Sequence, residues 1–182
     1  MRWVFLGAPG SGKGTQAALL TQRFDLGYVS TGDVFRQAIS DKTVLGQQAK
    51  QYLDGGLLVP DEIVLGMIEQ VLDGLLNRKG FILDGFPRTI PQAEQLERIL
   101  EARKQPLDAV ISLEVPEKML ISRMLERKRA DDTLETIQKR LAVFVCQTEP
   151  LKAFYRSRGL LKEVNGAVAP EEVLTSLVAI LG

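Results

Sequence analysis

The chain has 182 residues, 45% hydrophobic and 25% charged, which suits one domain with a sizeable core. Lys+Arg and Asp+Glu balance at 23 each, so there is no electrostatic reason to expect nucleic acid or an anionic membrane as partner, and no apolar run approaches the ~20 residues of a membrane span or the long apolar region of a signal peptide. One cysteine, Cys146, excludes an internal disulfide and fits a reducing cytoplasm, while the absence of histidine removes a histidine general base and any histidine-based zinc site.

Five short runs read as strands: Trp3–Leu6, Tyr28–Ser30, Phe81–Asp84, Ala109–Leu113 and Leu160–Val164. The first, third and fourth are nearly continuous hydrophobics, as strands covered on both faces should be. Helical patterns lie between them. Leu134, Ile137, Leu141 and Phe144 share one face from Thr133 onward, and Val173, Leu174, Leu177, Val178 and Leu181 share another from Pro170. Strand alternating with helix means an α/β domain with a parallel sheet. The 31–73 segment is longer than a simple crossover needs and is expected to form a small helical subdomain.

Between the first strand and a helix opening near Lys13 runs "GAPGSGKGTQ", Gly7 to Gln16. It nearly spells the phosphate loop G-x-x-x-x-G-K-[ST], but Gly14 follows the lysine and the hydroxyl comes one place later, at Thr15. Glycines let backbone N–H groups turn inward around phosphate oxygens, the helix N-terminus adds partial positive charge, and Lys13 adds a full one. In "YVSTGDVFR", Ser30 with Asp33 forms a capping box, and Arg36 beside that helix start makes an anion site. In "FILDGFPRTIPQ", Asp84 ends a buried strand at its carboxyl end, where open α/β sheets bind ligands and where phosphate-loop proteins keep the acid that meets Mg²⁺ waters. Gly85 admits a ligand to the backbone, and Arg88 follows in a turn set by Pro87. Gln92 stands open between a ligand contact and the closing of a capping box with Thr89. Further on, Arg123 and Arg127 share a helix face, and Arg129 and Arg140 follow.

Taken together these segments resemble the adenylate kinase family. "GAPGSGKGTQ" has the form of nucleoside monophosphate kinases, and "STGDVFR", "LLVPDEI", "DGFPRTIPQ", "RADDTLETIQKRL" and "VNGAVAP" match in order across nearly the whole chain. The resemblance implies a phosphate-loop fold with a five-stranded parallel sheet, a monophosphate-binding helical subdomain at 31–73, and the reaction MgATP + AMP ⇌ MgADP + ADP. It implies ATP phosphates on Gly10, Ser11, Gly12, Lys13, Gly14 and Thr15, with Val168 against the adenine. AMP is expected on Thr31, Arg36, Leu57, Leu58, Val59, Gly85, Phe86, Pro87, Arg88 and Gln92. Arg123 and Arg127 are expected to face ATP, Arg129 and Arg140 to bridge from the AMP side, and Asp84 with Asp33 to hold Mg²⁺ through water. Lys13, Arg88, Arg123, Arg129 and Arg140 form the expected catalytic set. A small-molecule enzyme is implied, without zinc, nucleic acid or membrane, cytoplasmic, and a monomer as family members of this size commonly are. The nearest rival is a UMP/CMP kinase, which typically has alanine and asparagine where Thr31 and Gln92 stand. A GTPase-like switch would need a hydroxyl right after Lys13 and an N-K-x-D motif, and has neither.

One segment departs from the family. Its lid lies between the arginines matching Arg127 and Arg129, and here only Lys128 separates them. Positions i and i+2 on a helix point about 200° apart, so one continuous helix cannot aim both arginines at the same cleft. The expectation is a break between Arg127 and Asp132, with Asp132 and Glu135 starting a new helix and 127–132 forming a lid stub.

Overall fold

The computed structural model describes residues 1–75, 78–127, 129 and 132–181. Its sheet has five parallel strands, β1 (Arg2–Leu6), β2 (Gly27–Ser30), β3 (Phe81–Asp84), β4 (Ala109–Glu114) and β5 (Leu161–Asn165), in the order β2-β3-β1-β4-β5. All five expected strands are found within a residue at each end. The fifth begins one residue late, because Leu160 still gives its N–H to Tyr155 at the end of the preceding helix.

The side chains of β1 divide by alternation. Val4 and Leu6 enter one core cluster, and Trp3 and Phe5 enter the other. Phe81 and Leu83 of β3 follow the first, Ile82 the second. Both faces of the sheet are therefore buried, which is why these strands lack polar alternation. Helix α1 (Lys13–Phe24) brings Ala17 and Leu20 to the second cluster. The first cluster is completed by helices met later in the chain.

Between β2 and β3 run α2 (Thr31–Ser40), α3 (Val44–Asp54) and α4 (Asp61–Gly74). α2 and α3 start on the hydroxyls of Ser30 and Thr43, which accept from the N–H groups of Asp33 and Gly46. α3 crosses α2 so closely that a Cβ on Gly46 would lie 2.1 Å from the carbonyl oxygen of Ala38. α5 (Ile90–Ala102) joins β3 to β4 and adds Ala93, Leu96 and Leu100 to the first cluster, beside Met67, Ile68 and Leu72 of α4.

After β4, α6 (Glu117–Glu126) and α7 (Leu134–Val143) form a third cluster of Leu120, Met124, Ile137 and Leu141 around Ala8 of the glycine-rich loop. Leu134 does not join it, being 52% exposed at the first position of α7. α7 continues as a π-helical turn, Phe144–Thr148, into α8 (Pro150–Ser157). Pro150 has no N–H to donate and its ring needs room on that side, so a widened turn relieves the helix there. Leu151 and Tyr155 of α8 return to the first cluster, and α9 (Pro170–Leu181) closes the second with Val173 and Leu177.

Gly46→Ala should test the α2–α3 crossing. The added methyl has nowhere to go, overpacking typically costs about 1–3 kcal/mol, and for a chain of this size the melting temperature should fall by about 3–10 °C. An unchanged melting curve would show that the helices separate freely.

Candidate active site

The loop from Gly7 to Gly12 leaves the carboxyl end of β1 and opens α1. Gly10, at φ +85°, packs so tightly under α6 that a Cβ would lie 2.9 Å from the Leu120 carbonyl oxygen. Gly12 is the N-cap of α1 at φ 95° and offers no side-chain cap, whereas α2, α3, α5 and α7 are each capped by a hydroxyl. The first-turn N–H groups of α1 are thus left for an outside acceptor. Lys13 sits at the positive end of that helix, where a cation is unfavourable unless an anion joins it. In the loop as it stands, its Nζ donates to Gly7 O at 2.8 Å, Ala8 O at 3.0 Å and Ser11 Oγ at 3.4 Å.

A cleft of about 610 Å³ lies over this edge of the sheet. Among the described residues it is lined by the basic side chains Lys13, Arg36, Arg88, Arg123, Arg127, Arg129 and Arg140 and by the carboxylates Asp33 and Asp84. Gly10 to Thr15, Leu57, Leu58, Gly85, Pro87 and Val168 line it too. Burial holds the Lys13 pKa below the ordinary ammonium value; Asp84 opposes this, and Arg88 and Arg127 add to it. Burial likewise lowers Arg88, against Asp84 and with Arg140 and Arg36, and lowers Arg129, helped by Arg36 and Arg127. Such shifts mark cations held close together out of water.

A pocket of about 30 Å³ with much of the same lining opens toward α4 and reaches Thr31, Phe35, Val59, Val64 and Gln92. Here the structure answers the question the sequence left open. Thr89 does cap α5, its Oγ1 accepting from Gln92 N at 3.3 Å. The Gln92 side chain does not close the box. Its Oε1 accepts from Arg88 N at 2.7 Å and its Nε2 donates to Asp61 Oδ1 at 2.6 Å.

Nearly every expected site residue therefore reaches one of the two cavities. Phe86 is the exception: its side chain is fully buried in the first core cluster. Asp33 gives its backbone N–H to the Ser30 hydroxyl at 3.2 Å, the capping half of the expected box, and its carboxylate pairs with Arg36. Burial alone would raise the Asp33 pKa, but the bonds from Arg36 and Ser30 outweigh it and hold the group below the usual carboxylate range. α6 ends at Glu126 and α7 begins at Leu134, so the two helices are separate, and Arg129 O accepts from Asp132 N at 3.0 Å. Lys128, Ala130 and Asp131 of the expected lid stub lie outside the described residues. The new N-cap is Thr133, not Asp132, because the Asp132 carboxylate is drawn elsewhere. It is 1% exposed and takes Arg127 Nε at 2.5 Å, Arg127 Nη2 at 2.9 Å and Arg140 Nη1 at 3.1 Å.

Asp132 is a site residue that sequence reading misses. Tyr28 is another: its hydroxyl donates to Asp84 Oδ2 at 3.0 Å, on the side of Asp84 facing Gly14. Burial, then Asp84, raises the Tyr28 pKa, so the phenol stays a donor. Arg123 Nη1 donates to Gly166 O at 3.0 Å, tying α6 to the segment that carries Val168.

A family model described as Adenylate kinase matches residues 5–160. The chain belongs to the adenylate kinase family. It is similar to an adenylate kinase of a Cyanothece species, 47% identical over 97% of this chain and 92% of that one. A Bacteroides fragilis adenylate kinase is 44% identical over 96% of this chain and 94% of its own, and one from Desulfitobacterium hafniense is 43% identical over 98% and 96%. The last alignment spans 209 positions, more than this chain's 182 residues, so that adenylate kinase has residues with no counterpart here. Adenylate kinases are phosphate-loop proteins with this parallel-sheet core, and the observed α/β fold agrees.

The crowding of cations predicts stabilisation by a polyanion. Tripolyphosphate at about 100 times its dissociation constant should add about 2.7 kcal/mol, or roughly 5–10 °C in melting temperature. Chloride at equal ionic strength should not. Lys13→Ala should lose more than half of the shift; an undiminished shift in that variant would place the anion away from the loop.

Proposed function

We propose that the chain catalyses reversible phosphoryl transfer from MgATP to AMP, giving two ADP. The supporting observation is the pairing of an uncapped glycine-rich helix start with a second pocket, across one cleft lined by seven described basic side chains. Family membership supports the same activity.

On this reading the N–H groups from Gly10 to Thr15 and Lys13 hold the ATP phosphates, Arg123 and Arg127 cover them, and Val168 packs on the adenine. The α2–α4 region, 31–73, holds AMP: Thr31, Leu57 to Val59, Gly85, Pro87 and Gln92 surround the base and ribose, and Arg36 and Arg88 take the phosphate. Arg129 and Arg140 bridge the two. The chain acts as a monomer in the cytoplasm, as family members of its size commonly do.

The donor set fits a magnesium ion that keeps most of its waters. Two carboxylates, Asp33 and Asp84, line the cleft, and among the described residues no group of three or more His, Cys, Asp or Glu could hold a metal directly. Mg²⁺ would supply charge neutralisation on the bridging phosphates, with Asp84 and Asp33 receiving its waters. The protein's own task is positioning. An AMP phosphate oxygen, already anionic, attacks the γ-phosphorus in line. The bond from that phosphorus to the β–γ bridging oxygen breaks, and ADP leaves with its electron pair. No proton has to move, so the lack of histidine is no obstacle. Lys13, Arg88, Arg123, Arg129 and Arg140 take the charge that spreads over the transferring group.

A panel of monophosphates with MgATP tests the substrate. AMP should exceed UMP, CMP and GMP in kcat/KM, because placed hydrogen-bonding groups penalise bases that leave them unpaired. Equal turnover of CMP or UMP would favour the pyrimidine relative instead.

The stub at 127–132 should exclude water less well than a full lid. MgATP hydrolysis without AMP is therefore expected at a larger fraction of the transfer rate than in a longer-lidded relative assayed alongside. An equal or smaller fraction would remove the lid from the account.

A further inference from the structure

We propose that Asp61 sets the purine specificity of the monophosphate pocket by fixing which way the Gln92 side-chain amide points. The proposal rests on the reading of Gln92 as the base-contacting residue.

A glutamine amide has an acceptor oxygen and a donor nitrogen of nearly the same shape, and without partners it can turn over at little cost. Gln92 is not in that position. It is 2% exposed, and each end of its amide meets a group of one polarity only. The Asp61 carboxylate can only accept, and it receives Nε2 at 2.6 Å. The Arg88 backbone N–H can only donate, and it gives to Oε1 at 2.7 Å. Turning the amide over would set oxygen against carboxylate and N–H against N–H. Asp61 is itself held. It lies in the first turn of α4, where a carboxylate is favoured, and its Oδ2 is 3.4 Å from the Thr89 hydroxyl.

After these bonds, the amide keeps one N–H and one oxygen lone pair. Those suit a 6-aminopurine, whose edge shows a ring-nitrogen acceptor beside an amino donor. A 6-oxopurine shows the reverse pair, an N–H donor beside a carbonyl acceptor. It would match only the turned-over amide, which Asp61 forbids. Discrimination then comes from polarity rather than shape, and AMP and IMP differ only along that edge.

The test is Asp61→Asn, nearly isosteric, with an amide that can offer Gln92 either a donor or an acceptor. The IMP-to-AMP ratio of kcat/KM should rise by about tenfold, the scale of losing a charge-assisted bond. The change should lie in the monophosphate KM, with the MgATP KM unaltered, and direct binding of AMP and IMP without ATP should shift in the same sense. Asp61→Leu, which cannot bond Gln92 at all, should shift the ratio the same way. A ratio unchanged in both variants, or equal losses for AMP and IMP, would overturn the proposal whatever happens to the melting temperature. Gln92→Ala separates the two levels. If it leaves the ratio at the wild-type value, Gln92 does not read the base; if it abolishes discrimination while Asp61→Asn does not, only the role of Asp61 fails.

Discussion

Like charges held together out of water set the terms for this molecule. Seven described basic side chains share one cleft with two carboxylates, in a chain whose formal charges cancel overall. Two such cations about 5 Å apart repel by roughly 3 kcal/mol at an effective dielectric near 20. The local structure works against that repulsion. Asp132, almost wholly buried, ties Arg127 and Arg140; Asp33 ties Arg36; Asp84 sits where its field meets both Lys13 and Arg88. These acids hold the basic groups in place but do not neutralise them, which leaves the cleft with an appetite for phosphate.

Precision at such a site needs a stiff base. The phosphate loop hangs from the central strand of a sheet buried on both faces, and Ala8 packs into the same small core as α6 and α7. Arg123 and Arg140 stand on those two helices, with Arg127 capping the first. The loop and these arginines are thus parts of one packed body. The proposed monophosphate pocket is held by different contacts, among them Arg140 Nη2 donating to Leu53 O at 3.4 Å and the network from Asp61 to Arg88 by way of Gln92.

Much of this was legible in the residues. Continuous hydrophobics in β1, β3 and β4 announced strands buried on both faces, and the loop announced its own position. Local signals carried less well where a long-range partner intervened. Asp132 reads as an N-cap by its spacing to Glu135, yet Arg140 and Arg127 outbid the backbone for its carboxylate, and Thr133 caps the helix instead. Gln92 looks like half of a capping box because its partner Asp61 lies 31 residues away in another helix. Tyr28 gives no sign at all, since a strand tyrosine is ordinarily a packing residue and only the sheet register sets its hydroxyl beside Asp84. Leu134 fits the helical period but sits at an end that nothing covers.

The three contacts of Lys13 with its own loop give that side chain a structural part as well as an electrostatic one. The ammonium group is a crosslink, joining the two ends of the loop through Gly7, Ala8 and Ser11. Replacing this lysine would therefore take away a brace within the loop as well as a positive charge.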